Sequence, residues 1–201
     1  ARTLQALLTR REAIAQDLLR ENNRLEKADS TDTPTLIRQS LTDSIDFLKL
    51  QLTQLQKAID DHTDSHPTLK EDLTLLTSIP AVGSQVSHHL LAVIHNHEFD
   101  CAEKLAAYLG LVPVQRRSGS SIMGRSCISK AGSSHIRAIL YMAAMTATRY
   151  NPHIKALYLR LLERGKSKRS ALCAAMRKLV HLCFGVLKSR KPYDANYVVC
   201  A

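Results

Sequence analysis

The chain has no Trp, and Phe, Tyr and Trp together make up 4% of it. That scarcity argues against an aromatic-packed β-sandwich, while an apolar share of 45% favours helices rich in Leu and Ala. Cysteine is also short of a pattern: Cys101, Cys127, Cys173, Cys183 and Cys200 are odd in number and never fall as CxxC. Neither a disulfide framework nor a zinc site is indicated, and free thiols in a reducing compartment are expected. No signal peptide is seen, and no apolar run is read as reaching the roughly 18 residues of a membrane span. No internal repeat or low-complexity tract occurs.

Negative charge is scarce in the second part of the chain. Net charge is +10. Residues 1–83 carry 10 Lys/Arg against 13 Asp/Glu, whereas residues 84–201 carry 18 against 5. A solvated basic face is the plainest account, but this surplus on so few carboxylates is typical of chains that neutralise nucleic-acid phosphates. A membrane surface fits less well, because the cations are scattered through helices and do not line one amphipathic face.

Helical periodicity dominates what is present. From residue 1 to about Lys27, Leu4, Leu7, Leu8, Ile14, Leu18 and Leu25 recur at helical spacing, and the segment Ala28 to Pro34 is an acidic turn. A second helix places Leu41, Ile45, Leu48, Leu52, Leu55 and Ile59 at intervals of three and four over nearly three heptads. That stripe needs a partner, either the first helix or another subunit. The expectation is an antiparallel coiled-coil arm that also dimerises, closed by an acidic loop from Asp61 to Pro67.

The pattern changes at Leu69. A helix ending near Ser78, a turn of Ile79, Pro80, Ala81, Val82 and Gly83, and a helix from about Ser84 to Ile94 resemble a helix-hairpin-helix. In such a motif the turn and the free amides of the second helix grip a backbone phosphate. Ala81 stands where the motif's first glycine is usual, so a phosphate grip and a mere packing role both stand. His88, His89, His95 and His97 are expected at helix ends or on the surface. A helix over Ala102 to Leu109 closes at Gly110, and further helices are expected over His135–Tyr150, Ile154–Glu163 and about Ser170–Lys188, with a tail from Arg190 that has little structure.

Between them lies RRSGSSIMGRSCISKAGSSHIR, from Arg116 to Arg137, with three glycines, seven serines and five cations. Glycine admits close backbone approach, hydroxyls and amides donate, and arginine forks onto anionic oxygens. Ser133 and Ser134 read as caps of the next helix. Ser118 sits between Arg117 and Gly119 with Arg116, Arg125, Lys130 and Arg137 near in sequence. There is no His/Asp pair nearby to deprotonate it and no GxxxxGK[ST] pattern. From these residues alone, phosphate binding ranks first and phosphoryl transfer second.

Three segments carry a resemblance: LTSIPAVGSQVSHHLLAVI, KLAAYLGLVPVQRRSGSSIMGRSCISKAGSSHIRAILYMAAM and NPHIKALYLRLLERGKSKRSALCAAMRKLVHLCFGVLKSRKPYD. The chain resembles the C-terminal region of the DEDD insertion-sequence transposases that include the Piv-type pilin-gene invertases, with YLGLVP, SGSS, GRSxISKAG and MRKL blocks in order over Leu69 to Asp194. The resemblance implies that Ser118 is a catalytic nucleophile forming a covalent phosphoserine link to cut DNA. It also implies an N-terminal RuvC-like domain with metal-binding carboxylates, to which nothing here corresponds, so that Mg²⁺ would belong there and no cofactor or metal to this chain. Beginning at Ala1, the sequence reads as a fragment, natural or engineered, of a longer recombinase. An element-encoded guide (bridge) RNA is a further implied partner.

The reading is therefore a mainly α chain. A coiled-coil arm (1–68) precedes a compact helical transposase domain (69–194) with a helix-hairpin-helix-like element and a Gly/Ser/Arg-rich loop that can form a short β-hairpin, and a tail (195–201) follows. The expected function is DNA cleavage and rejoining by Ser118 in a bacterial cytoplasmic recombinase. Arg116, Arg117, Arg125, Lys130 and Arg137 hold phosphate, Gly119 allows close approach, and Ser120 and Ser121 are secondary donors. Expected partners are DNA, guide RNA and a second copy through the arm, with a higher synaptic assembly conceivable and no membrane. A non-catalytic module gripping DNA or RNA is the first rival. A structural role centred on the arm is the second, and it predicts binding insensitive to salt, whereas 6 to 10 phosphate contacts would lose roughly 10³ to 10⁵ in affinity between 50 and 200 mM salt.

Overall fold

A computed structural model describes residues 2–114, 117–118, 122–123, 127–129 and 131–196; for 117, 118, 122 and 123 it describes backbone pairing alone. The chain divides into two compact units, residues 1–70 and 71–201.

The first unit is a helical hairpin of α1 (Arg2–Asp29) and α2 (Thr35–Asp64), joined by a short turn and packed along each other. Arg38 secures the turn by donating Nη2 to the carbonyls of Ala28 at 3.0 Å and Thr31 at 3.1 Å. These carbonyls close the end of α1, where a helix leaves acceptors unpaired and favours a cation. Of the six seam positions in α2, only Ile45 and Ile59 are buried, while Leu41, Leu48, Leu52 and Leu55 are half-buried. A helix in a two-helix pair is covered along one line only, so the flanks of the stripe stay accessible.

The expected loop from Asp61 is a correction. Residues 61–64 continue α2, and Thr63 is buried with its hydroxyl donating to the Ile59 carbonyl at 2.9 Å. That bond satisfies the hydroxyl inside the helix, and the chain turns only at Ser65 and His66. There Ser65 Oγ and the His62 carbonyl lie 3.0 and 2.8 Å from His66 Nδ1.

The second unit is built around α8 (Lys168–Ser189), which packs against α5 (Ala102–Tyr108), α6 (Ser134–Tyr150) and α7 (Pro152–Glu163). Ala143, Ala144 and Ala147 of α6 and Ala171 and Ala175 of α8 are buried, and such small side chains let helix axes approach closely. The helix α8 is long and apolar enough to cross a membrane by length and composition, against the expectation from the sequence. Its apolar face, from Ala171 through Leu179 to Val186, is the core of this unit.

Two further helices complete the unit, α3 (Pro67–Thr77), which belongs to it from Glu71 onward, and α4 (Ser84–Ile94). In α4 every residue from Val86 to Val93 is buried, including His88 and His89, which corrects their expected surface placement. A helix enclosed on all sides carries its polar side chains inward with it. His89 meets His135 of α6 edge to face, with ring centroids 5.3 Å apart.

The tail is also better anchored than expected. Tyr193 donates twice: its amide to Ser78 Oγ at 2.9 Å and its hydroxyl to Asn151 Oδ1 at 3.1 Å. Arg190, at φ 55° just past α8, donates to the buried Asp72 carboxylate and, at 2.5 Å, to Glu71, while His95 Nε2 lies 2.8 Å from the other Asp72 oxygen. The ends of the unit are thus clasped together through a buried carboxylate whose charge is compensated.

Candidate active site and nucleic-acid interface

The Arg116–Arg137 stretch opens from a helix end. α5 closes with Gly110 at φ 73°, its amide reaching Ala107 O and that of Leu111 reaching Ala106 O, both at 2.9 Å. This paired closure needs a left-handed residue, as the sequence pattern predicts for Gly110. Pro113–Val114 (β1) then pairs antiparallel with Cys127–Ile128 (β4), and Arg117–Ser118 (β2) with Ile122–Met123 (β3). The expected short β-hairpin is present in the form of these two ladders.

Partner numbers sum to 241 in the first ladder (Pro113↔Ile128) and to 240 in the second (Ser118↔Ile122). The return limb therefore has one more residue between the ladders than the outgoing limb. Ser118 occupies the last paired position, with residues 119–121 joining it to Ile122. It lies at most about 18 Å from Pro113 along an extended limb.

The root of the hairpin is locked by glycine. At Gly110 a Cβ would collide with the Ala131 backbone, and at Gly132, φ 71°, with the Tyr108 carbonyl. Ser129 N adds a bond to Val112 O at 2.9 Å. Arg137, one turn into α6, donates Nη1 to the carbonyls of Ala131 at 2.6 Å and Gly132 at 3.1 Å. Ser133 caps α6, accepting from Ile136 N at 3.4 Å, as its sequence position predicts.

Of the residues singled out in the sequence, Arg117 and Ser118 thus share β2, and Arg137 stands at the root. Arg116, Gly119, Ser120, Ser121, Arg125 and Lys130 lie outside the described residues. The turn Ile79–Gly83 lies between α3 and α4. Val82 N bonds Ile79 O at 3.0 Å and Ala81 has φ 76°, the geometry of a turn with proline second and a left-handed third residue. Ile79 and Val82 point into the core, whereas Gly83 and Ser84 at the start of α4 are exposed.

Sequence reasoning missed the contact between Gly110 and the Ala131–Gly132 segment, and the Asp72–Arg190–His95 clasp. It also missed a charge feature that the sequence holds: from Lys104 to Leu162 there are nine Lys/Arg and no Asp or Glu. The hairpin region therefore lacks the oxygen anions that Mg²⁺ requires, and its residues do not fit a magnesium site.

Residues 73–159 match the family model described as "Transposase IS116/IS110/IS902 family". The span runs from α3 into α7 and contains the whole hairpin, so this stretch is similar to the transposase domain that the model describes. The chain is 32% identical over 194 residues to the "Pilin gene-inverting protein" of Moraxella lacunata, covering 95% of this chain and 58% of that protein. The protein of the same description from Moraxella bovis is 31% identical over the same shares. The "Insertion element IS110 uncharacterized 43.6 kDa protein" of Streptomyces coelicolor is 27% identical over 83% of this chain and 40% of its own length. The chain thus spans less than two thirds of the length of these relatives.

Proposed function

We propose that this chain is the serine-bearing part of a DNA transposase or site-specific recombinase, and that Ser118 is its nucleophile. The observation that carries the reading is the position of Ser118 at the last pair of a rooted hairpin, inside a stretch of cations without carboxylates. A hairpin end can enter a DNA groove, and a hydroxyl held on paired backbone is better oriented than one on a free loop.

In the reaction Ser118 Oγ attacks a backbone phosphorus. The Oγ–P bond forms as the P–O bond to one strand segment breaks, and the hydroxyl proton passes to a general base while the departing oxygen takes one up. An incoming strand end then attacks the phosphoserine and restores the hydroxyl. Arg116, Arg117, Arg125 and Lys130 neutralise the non-bridging oxygens as charge builds, with Ser120 and Ser121 as further donors and Gly119 admitting the strand. Arg137 is a positioning residue, because it holds the hairpin root. The turn at Ile79–Gly83 and the start of α4 add a helix-hairpin-helix-like backbone contact.

Magnesium and its carboxylates would come from a RuvC-like domain, as the family resemblance implies, and no step here is routed through them. A guide RNA that reads sequence by pairing suits a surface that holds backbone. The setting is the bacterial cytoplasm. A second copy joins through the arm as a coiled coil, supported by apolar side chains of α2 left in solvent: Leu36 at 81%, Phe47 at 59% and Leu50 at 56% exposure.

Covalent trapping on DNA, in the native protein with its RNA, tests this. The wild type is expected to yield a protein–DNA adduct at Ser118, and Ser118→Ala to yield none while keeping DNA affinity within about tenfold, the net worth of one hydrogen bond. Absence of an adduct from the wild type would favour the non-catalytic binding module.

A further inference from the structure

We propose that the cleft between α6, α7 and the first turn of α8 docks an unpaired DNA strand, separately from the hairpin. The inference rests on the reading above that the chain handles DNA strands. The cleft is a cavity of about 680 Å³, within the range that takes a ligand of nucleotide size.

Its walls combine two kinds of group. Tyr141 and Tyr150 of α6 and Tyr158 of α7 supply rings, with Met145 and Leu159 beside them. Arg149, Lys155, Lys168 and Arg169 supply four cations, and among the described residues no Asp or Glu lines the space. Among the described residues none of these four is in an ion pair with a carboxylate.

Exposure points the same way. Among the described residues of the second unit, seven large apolar or aromatic side chains are exposed: Tyr108, Val114, Tyr141, Met142, Met145, Tyr150 and Leu159. Four of the seven line this one cleft, so they are not the scattered apolar residues of an ordinary surface. Tyr150 is 69% exposed, a ring left free to stack.

The first turn of α8 adds donors. Ser167 caps it by accepting from Ser170 N at 3.3 Å, which leaves the amides of Lys168 and Arg169 at the positive end of a 22-residue helix. Cations and helix amides suit phosphate; exposed rings suit bases. An acidic peptide would account for the cations alone, and duplex DNA keeps its bases stacked inward. A single strand uses both, which is how stacking platforms in charged grooves bind without reading sequence. DNA is the strand type committed to, because the reaction proposed for Ser118 opens DNA strands at the point of exchange.

The site is distinct from the hairpin. At 1.5 Å per residue, Tyr141 to Tyr150 lie roughly 10 to 24 Å along α6 from its start at the hairpin root. A strand released at one place could be held at the other.

The absence of Trp supplies a reporter. In a Tyr150→Trp chain, oligothymidylate should quench the indole fluorescence and lose affinity as salt rises. With a labelled oligothymidylate, Tyr150→Ala should weaken binding about 5- to 150-fold, the effect of removing one stacked base partner. Lys168→Gln with Arg169→Gln should lower the slope of log affinity against log salt by about 0.7 for each cation. Thermal unfolding of each variant reports folding, which substitution of exposed side chains should leave intact.

Three results would overturn the inference: unchanged affinity in both variants, tighter binding of duplex of equal length, or displacement by oligouridylate at lower concentration than by oligothymidylate. Ser118→Ala separates the two readings. It should leave oligothymidylate binding at the cleft unchanged, so loss of trapping with binding retained would remove only the nucleophile, and normal trapping in Tyr150→Ala with no binding defect would remove only the cleft.

Discussion

His181 of α8 is held neutral by its surroundings. Burial is the largest cause that lowers its pKa from the ordinary 6.5; Arg177 and Lys178 add to the shift, and Glu103, with Oε1 3.9 Å from Nδ1, opposes it. Its Nε2 is buried without a hydrogen-bond partner. The unfolded chain takes up this proton near the ordinary histidine value, whereas the folded chain takes it up only at lower pH. The contribution of His181 to stability is therefore complete above about pH 6.5 and declines as pH falls toward the lowered value. Thermal unfolding of wild type and His181→Gln, followed from neutral to acid pH, should show a shallower decline in the variant. Equal slopes would mean that other groups carry the acid sensitivity, with His62, also lowered chiefly by burial and then by His66, the first to examine. Local patterns do not reveal such residues. Asp72 and Arg190 are 118 positions apart, and Tyr193 meets Asn151 across 42. Periodicity reports which side of a helix is apolar, not which distant polar group faces it, so a tail read as structureless proves to be a fastening.

At the scale of elements, local chemistry was readable where it is self-contained. The helices that end at Gly110 and begin at Ser133 follow from a left-handed residue and a serine cap with neighbours in sequence. The overrun of α2 through residues 61–64 was hidden because Asp and Thr have low helix preference, and burial of Thr63 outweighs it. The hairpin was half legible: the Gly/Ser/Arg-rich loop was expected to form a short β-hairpin, but its root depends on Gly110 and Gly132 meeting backbone from the other limb. Gly132→Ala puts a Cβ against the Tyr108 carbonyl and also strains a residue at φ 71°. The cost should be about 1 to 3 kcal/mol, and since the clash is at the root, it should move the ladders relative to α5. Recombination by Gly132→Ala should fall by tenfold or more while its thermal unfolding stays cooperative. Wild-type activity in that variant would show that the root does not position Ser118. Ala81 is the instructive contrast, also left-handed at φ 76° but placed in the turn between α3 and α4.

At the scale of the whole molecule, charge and apolar surface separate along the chain. The first 83 residues are mildly acidic and the rest strongly basic, so that the contact with nucleic acid and the contact with another copy of the chain that are proposed above would fall to different units. On α2 the buried Ile45 and Ile59 mark one side. Leu36, Phe47 and Leu50 fall, by the 100° advance per residue, within about 60° of one another on the opposite side. Helix α1 covers the first side only. Large apolar side chains in solvent on an otherwise polar face are what a second helical hairpin would bury, and three side chains of this size at roughly 1.5 to 3 kcal/mol each contribute, doubled by symmetry, an amount comparable to the association cost of a dimer. Sedimentation of the chain at micromolar concentration should give a dimer. Phe47→Glu with Leu50→Glu should give a folded monomer with unchanged helical circular dichroism, because both side chains lie away from α1. If the wild type sediments as a monomer, or the double variant stays dimeric, the arm does not join copies through this face.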